Sequence, residues 1–159
     1  MQNTQIAATF RKLNLIYATL VVGQVIMFSV LYGLKQENAS NHAILQLPAA
    51  MLSITAILLA PAFYLRILKS RFQAPDAPAR SLEEKIQIYQ SANIVKLALL
   101  EGAAMFCAVC LMVTGEQFYA WLFIATFFSF MLHRPTPVKC AADLQLSETE
   151  KAELQDSLR

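Results

Sequence analysis

Residues 13–34 run for 22 positions without one charged side chain. That is enough to cross the roughly 30 Å hydrocarbon core of a bilayer as a single helix. Three further stretches approach the same length. Residues 43–65 carry no charge, although they include Gln46, Pro48 and Pro61. Residues 93–114 are apolar apart from Lys96 and Glu101. Residues 117–132 are the shortest and are dense in aromatics, among them Phe118, Tyr119, Trp121, Phe123 and Phe128. A chain of 159 residues is too short to bury four such helices in its own protein, so lipid must cover them. Composition agrees: only 15% of residues are charged, where a soluble domain has about a quarter. The predicted fold is all-α. Residues 1–159 form one integral membrane domain with four transmembrane helices arranged as two antiparallel hairpins.

Charge placement orients it. Short cytoplasmic loops accumulate Lys and Arg. Arg11 and Lys12 precede the first stretch, and Arg66, Lys69, Arg71, Arg80 and Lys85 lie between the second and third. Arg134, Lys139, Lys151 and Arg159 follow the fourth. The remaining two connections contribute Lys35 alone, so eleven basic residues stand on one side against one on the other. Both termini are expected in the cytoplasm. The first stretch is longer than a signal-peptide core and lacks a small-residue cleavage pattern, so it is expected to stay as an uncleaved anchor. Tyr119 and Trp121 then fall at the outer interface.

Connections are expected to be short outside, at Gly115–Glu116 and across residues 35–42. Inside, residues 70–81 form a linker containing Pro75 and Pro78. Ser81 and Glu84 make an S-x-x-E capping box that starts a helix. Nothing breaks that helix before Gly115, so it should extend close to 50 Å. Its first turns carry Leu82, Ile86 and Tyr89 on one face, placed to pack along the membrane surface or against the tail. The tail, residues 138–159, is polar. Ser147 and Glu150 repeat the capping box and predict a short amphipathic helix over 148–158, with Leu154 and Leu158 on one face. A solvated tail is the simpler expectation; docking on the cytoplasmic loop is the other.

Chemistry concentrates at Glu101. It lies about 9 Å inside the inner boundary of its span by helical rise. An ionised acid at such depth costs on the order of 3 kcal/mol. It must be protonated, paired or open to water. Tyr17, Tyr64 and Ser129 lie at similar depth on other spans, and Arg66 and Arg134 can reach from the inner rim. Lys96, five positions away and on another face, is expected to snorkel to the interface. Glu101 is thus either an ion or proton site or a packing group that sets the bundle. Small-residue pairs favour close packing of this span: Ala98 with Gly102, Ala103 with Cys107, Ala104 with Ala108. Gln24, in mid-span, is expected to hydrogen-bond across helices.

Other chemistries are poorly supported. Cys107-Ala-Val-Cys110 is a C-x-x-C, but it lies mid-helix with only Cys140 left to relay electrons, on the opposite side; small apolar fillers is the better reading. His42 and His133 lie on opposite faces and cannot share a metal. No cofactor or metal is expected. A net charge of +2, with no basic run interleaved with aromatics, argues against a nucleic-acid partner.

Tyr89-Gln-Ser-Ala92, Lys96-Leu-Ala-Leu-Leu-Glu-Gly-Ala-Ala-Met-Phe106, Arg134-Pro-Thr136 and Asp143-Leu144 resemble a family of small four-span bacterial membrane proteins to which no activity attaches. The resemblance covers chiefly the second half of the chain and implies a bacterial inner-membrane location. The Leu-Leu-Glu-Gly stretch also looks like the carboxylate helix of rotary ATPase proteolipids, which place the acid on the second helix of a hairpin rather than the first. Small multidrug-resistance transporters share four helices and one membrane acid, but carry it on the first helix. The expectation is non-enzymatic: a structural or accessory component of a membrane assembly, its partner another membrane protein or a second copy. The alternative is a proton- or cation-coupled transport element using Glu101, and a membrane thiol enzyme is the remote third.

Overall fold

The computed structural model describes residues 2–34, 43–72 and 81–157. Within them the chain forms six helices and no strand: α1 (Gln2–Gly33), α2 (Ala43–Phe72), α3 (Leu82–Thr114), α4 (Gln117–Leu132), α5 (Pro137–Asp143) and α6 (Glu148–Ser157). The expected connection at 35–42, most of the linker (73–80) and Leu158 lie outside the described residues. So do Lys35, His42, Arg80 and Arg159.

α1, α2 and α3 are each long and apolar enough to cross a membrane. All three extend beyond the apolar stretches that announce them. α1 begins eleven residues before position 13, and α2 continues through Pro61 to Phe72. Lys69 and Arg71 in the last turn of α2 complement the helix dipole. α3 starts at the expected capping box: the Ser81 hydroxyl accepts from the Glu84 amide at 3.4 Å, and the Ser81 amide donates to the Glu84 carboxylate at 3.1 Å. It ends at Gly115, whose φ of 68° is the left-handed conformation that only glycine adopts freely.

α3 is the hub. It packs along α1, α2 and α4, and buried positions recur along its whole length. Toward the Gly115 end, Cys110 and Leu111 meet Ala49 of α2 and Tyr119 and Ala120 of α4. In the middle, Ala104, Cys107 and Ala108 meet Leu31 and Phe123. Below them, Leu97, Leu100 and Ala103 meet Tyr17, Ala56, Ala60 and Phe130. The side chains facing away from these contacts, such as Val22, Ile26, Leu58, Trp121 and Phe128, are exposed and apolar.

The other end of the molecule is built differently. Ile6 and Phe10 of α1, Tyr64 and Leu68 of α2, and Leu82, Ile86 and Tyr89 of α3 converge with Cys140, Leu144 and Leu154 from the C-terminal segment. This second core is the cap. Phe10 stacks near Tyr89 at a centroid distance of 6.2 Å, and Tyr64 meets Tyr89 edge-on at 6.2 Å. The solvated-tail expectation is therefore overturned: Leu154 is only 1% exposed. α6 has its capping box, with Ser147 and Glu150 bonded reciprocally at 2.9 and 3.3 Å. Lys85 of α3 clamps Glu150 of α6 at 2.6 Å. The tail docks because Leu144, Leu146 and Leu154, from three successive parts of it, are all buried in this core, which the polar average of the segment conceals.

Candidate functional site

Glu101 sits on α3 halfway between the cap and Gly115, and it is half-buried. Among the described residues it has no hydrogen-bonding or ionic partner. The groups expected around it are committed elsewhere. The Tyr17 hydroxyl points to the Met131 sulfur at 3.8 Å, its ring stacked on Phe130. The Tyr64 hydroxyl donates to the Asp143 carboxylate. Ser129 is buried, and its carbonyl is 2.6 Å from a ring nitrogen of His133. Arg66 and Arg134 are both exposed. The structure therefore does not assemble Tyr17, Tyr64, Arg66, Ser129 and Arg134 around Glu101.

The packing expectation for Ala98 and Gly102 also needs correction. Both are exposed, and a Cβ built at Gly102 would have nothing within 4 Å. α3 offers small residues on several faces, and the chain uses two of them. Ala103 with Cys107 and Ala104 with Ala108 take the contacts inside the chain. The Ala98–Gly102 face stays open beside Glu101.

Gln24 is buried, at 1% exposure, and the expected hydrogen bond across helices is not made: neither its amide nitrogen nor its carbonyl oxygen has a partner among the described residues. Tyr119 departs from the interface role: its ring is buried and its hydroxyl is likewise unpartnered. Gln46 instead marks the far end, donating to Glu116 at 2.7 Å. Cys107 and Cys110 are free and buried, with the Ser53 hydroxyl 3.1 Å from the Cys107 sulfur. No group of three His, Cys, Asp or Glu among the described residues could hold a metal ion.

A polar seam that site reasoning missed lies between the apolar half and the cap. Lys96 does not snorkel outward; it is 6% exposed, with its ammonium 4.0 Å from the Tyr64 ring centre. The charges it faces are those of Asp143 and Lys139. Asn93, fully buried, donates to the Tyr89 carbonyl, while its own side-chain oxygen is unpartnered. Lys139 caps the end of α4, bonding the carbonyls of Leu132 and Arg134 at 2.8 and 3.3 Å. Burial holds His133 below the ordinary imidazole range. The Ser129 carbonyl opposes that shift, and the charges of Lys96 and Lys139 add to it. Burial, then the Asp143 charge, pushes the Cys140 thiol up to about 12. One sequence signal did point here. Tyr89, Lys96, Arg134, Thr136 and Asp143, all among the residues quoted for the resemblance above, lie in or beside this seam. No protein-family profile matches the chain, and neither a curated protein nor a solved structure matches it.

Proposed function

We propose that the chain is a small four-span protein of a bacterial inner membrane, with the cap in the cytoplasm, that serves as a structural or accessory component of a membrane assembly. The unpartnered Glu101 beside the open Ala98–Gly102 face carries this reading. A half-buried carboxylate in hydrocarbon costs on the order of 3 kcal/mol unless a donor meets it. Small residues at 98 and 102 allow another helix backbone to come close enough to supply one. The occupant is a transmembrane helix of another protein or of a second copy, presenting a hydrogen-bond donor at the depth of Glu101.

Support for the fourth span is indirect. α4 has 16 residues, about 24 Å by helical rise, slightly short of the hydrocarbon thickness. It lies along α3 and exposes Trp121, Phe128 and Leu132, side chains that suit lipid. The excess of basic residues beside the cap supports a cytoplasmic orientation. Resemblance to small four-span bacterial proteins is the ground for the inner membrane.

A second reading rests on the same carboxylate: a proton- or cation-coupled transport element in which Glu101 exchanges the ion. The two separate by substitution. In the assembly reading, Glu101→Leu loses association with its partner when the protein is extracted in mild detergent. In the transport reading, Glu101→Gln associates normally but abolishes pH-driven flux in liposomes. Association that persists in Glu101→Leu refutes the first.

A further inference from the structure

Where α4 meets α5, charge and apolar surface are arranged in two adjoining zones. Phe128 and Leu132, four residues apart on one face of α4, are 65% and 72% exposed, and Val138 at the start of α5 is 78% exposed. Immediately beyond the helix end stand Arg134 and Lys139, both exposed. Lys96 lies behind them, buried, its charge within reach of Lys139 and His133. The Arg134 charge reaches the Tyr17 hydroxyl on α1. Among the described residues one carboxylate faces this group, Asp143, and it already accepts the Tyr64 hydrogen bond. His133 is held below its ordinary range and adds no charge at neutral pH. The exposed cations Arg134 and Lys139, with Lys96 behind them, outnumber that acid and leave positive charge unbalanced at the edge of the apolar zone.

We propose that this junction binds an anionic phospholipid. Its phosphate sits between Arg134 and Lys139 with Lys96 behind, and an acyl chain lies along Phe128 and Leu132. Charge complementarity selects the occupant. Cations at this level attract anionic headgroups by an amount that each basic residue increases about fivefold. Lys139 spends hydrogens on the carbonyls of Leu132 and Arg134, which fixes its ammonium in place, and one N–H remains for a phosphate oxygen. Inorganic phosphate shares the headgroup chemistry but would leave the apolar zone uncovered. The site rests on α4 being a span, as proposed above.

The test uses the full chain in bilayers of phosphatidylcholine with or without phosphatidylglycerol, with native mass spectrometry counting the lipid retained after extraction. Phosphatidylglycerol should be retained in preference to phosphatidylcholine. Arg134→Gln with Lys139→Gln should lower that retention about 25-fold, and Lys69→Gln should leave it unchanged. Millimolar inorganic phosphate should not displace the lipid. Equal retention of the two lipids, full retention in the double variant, or displacement by phosphate alone each overturns the proposal. Trp121 is the single tryptophan, so its quenching by brominated phosphatidylcholine reports separately whether α4 lies in the bilayer. Quenching without selective retention refutes the lipid site alone. An unquenched Trp121 refutes the span beneath it. Quenching preserved in the double variant shows that it still inserts.

Discussion

The cap and the apolar half are made from the same three long helices, yet different forces hold them. In the cap, Phe10, Ile86, Tyr89 and Leu154 leave water when they pack. Each large apolar side chain buried this way contributes roughly 1.5–3 kcal/mol. In the apolar half, on the four-span reading, lipid solvates an unpacked leucine as well as a neighbouring helix does. Association there depends on close fit and polar contacts. The contacts match that distinction. The cap closes with capping boxes and an ion pair around its apolar side chains. The apolar half closes on alanines, cysteines, leucines and stacked rings such as Tyr17 on Phe130, and leaves Gln24, Tyr119 and Glu101 without partners among the described residues. One end of the molecule is finished within the chain, and the other is left with polar groups to satisfy.

The largest effect should come from the centre of the cap. Tyr89→Ala removes a ring packed against Phe10 and Tyr64 and should cost about 3–5 kcal/mol. Labelling of Cys140 is a direct readout, because its buried thiol, raised to about 12, should resist maleimide at pH 7.5 until the cap opens. Trp121→Ala, on the exposed face of α4, should change stability by less than about 1 kcal/mol. Equal costs for the two variants would erase the distinction between the regions.

Tyr64→Phe should cost about 1–2 kcal/mol by leaving Asp143 without its donor, and it should speed Cys140 labelling without unfolding the long helices. If helicity falls together with labelling protection, the cap and the apolar half form one cooperative unit. Ser147→Ala removes one side of the α6 capping box and should cost about 1 kcal/mol, seen as earlier release of the tail to a protease.

The smallest effect concerns Glu150. Burial pushes its carboxyl up, but hydrogen bonds from Lys85 and Ser147, with the Lys85 charge, hold it below its ordinary value near 4.5. A depressed acid contributes its stability above the unfolded value and loses it as pH falls through the folded one. The pair is worth about 1 kcal/mol or less. Tail docking should therefore be insensitive to pH near neutrality and weaken only below about pH 4.5. Lys85→Gln should weaken that acid dependence and leave the part that the Ser147 hydrogen bonds hold.

The pattern of legibility follows the same division. Long uncharged runs reveal helices that cross lipid, because every face of such a helix is apolar. Both S-x-x-E boxes were readable, since capping is local chemistry that needs no knowledge of the fold. The cap was hidden. Ile6 and Phe10 precede Arg11 and Lys12 and read as a charged tail, although helical spacing puts them on one face with Leu13. α5, only seven residues long, is signalled by Thr136 and Pro137 at its start, too brief a pattern to stand out in a polar segment. The face of Glu101 was misread for another reason. α3 carries several small-residue pairs, and only tertiary contacts decide which of them the chain itself fills. Lys96 was assigned outward because snorkelling is the common fate of such a lysine; a tyrosine ring and an aspartate from elsewhere in the chain turn it inward.

The most direct test is the carbodiimide reactivity of Glu101, read by peptide mass spectrometry in native membranes and in purified monomer at the same pH. If a partner helix covers the Ala98–Gly102 face, Glu101 should be protected in native membranes and become reactive once the monomer is separated. Equal labelling in both would contradict an occupied face, and the carboxylate would then be free to exchange ions within a single chain.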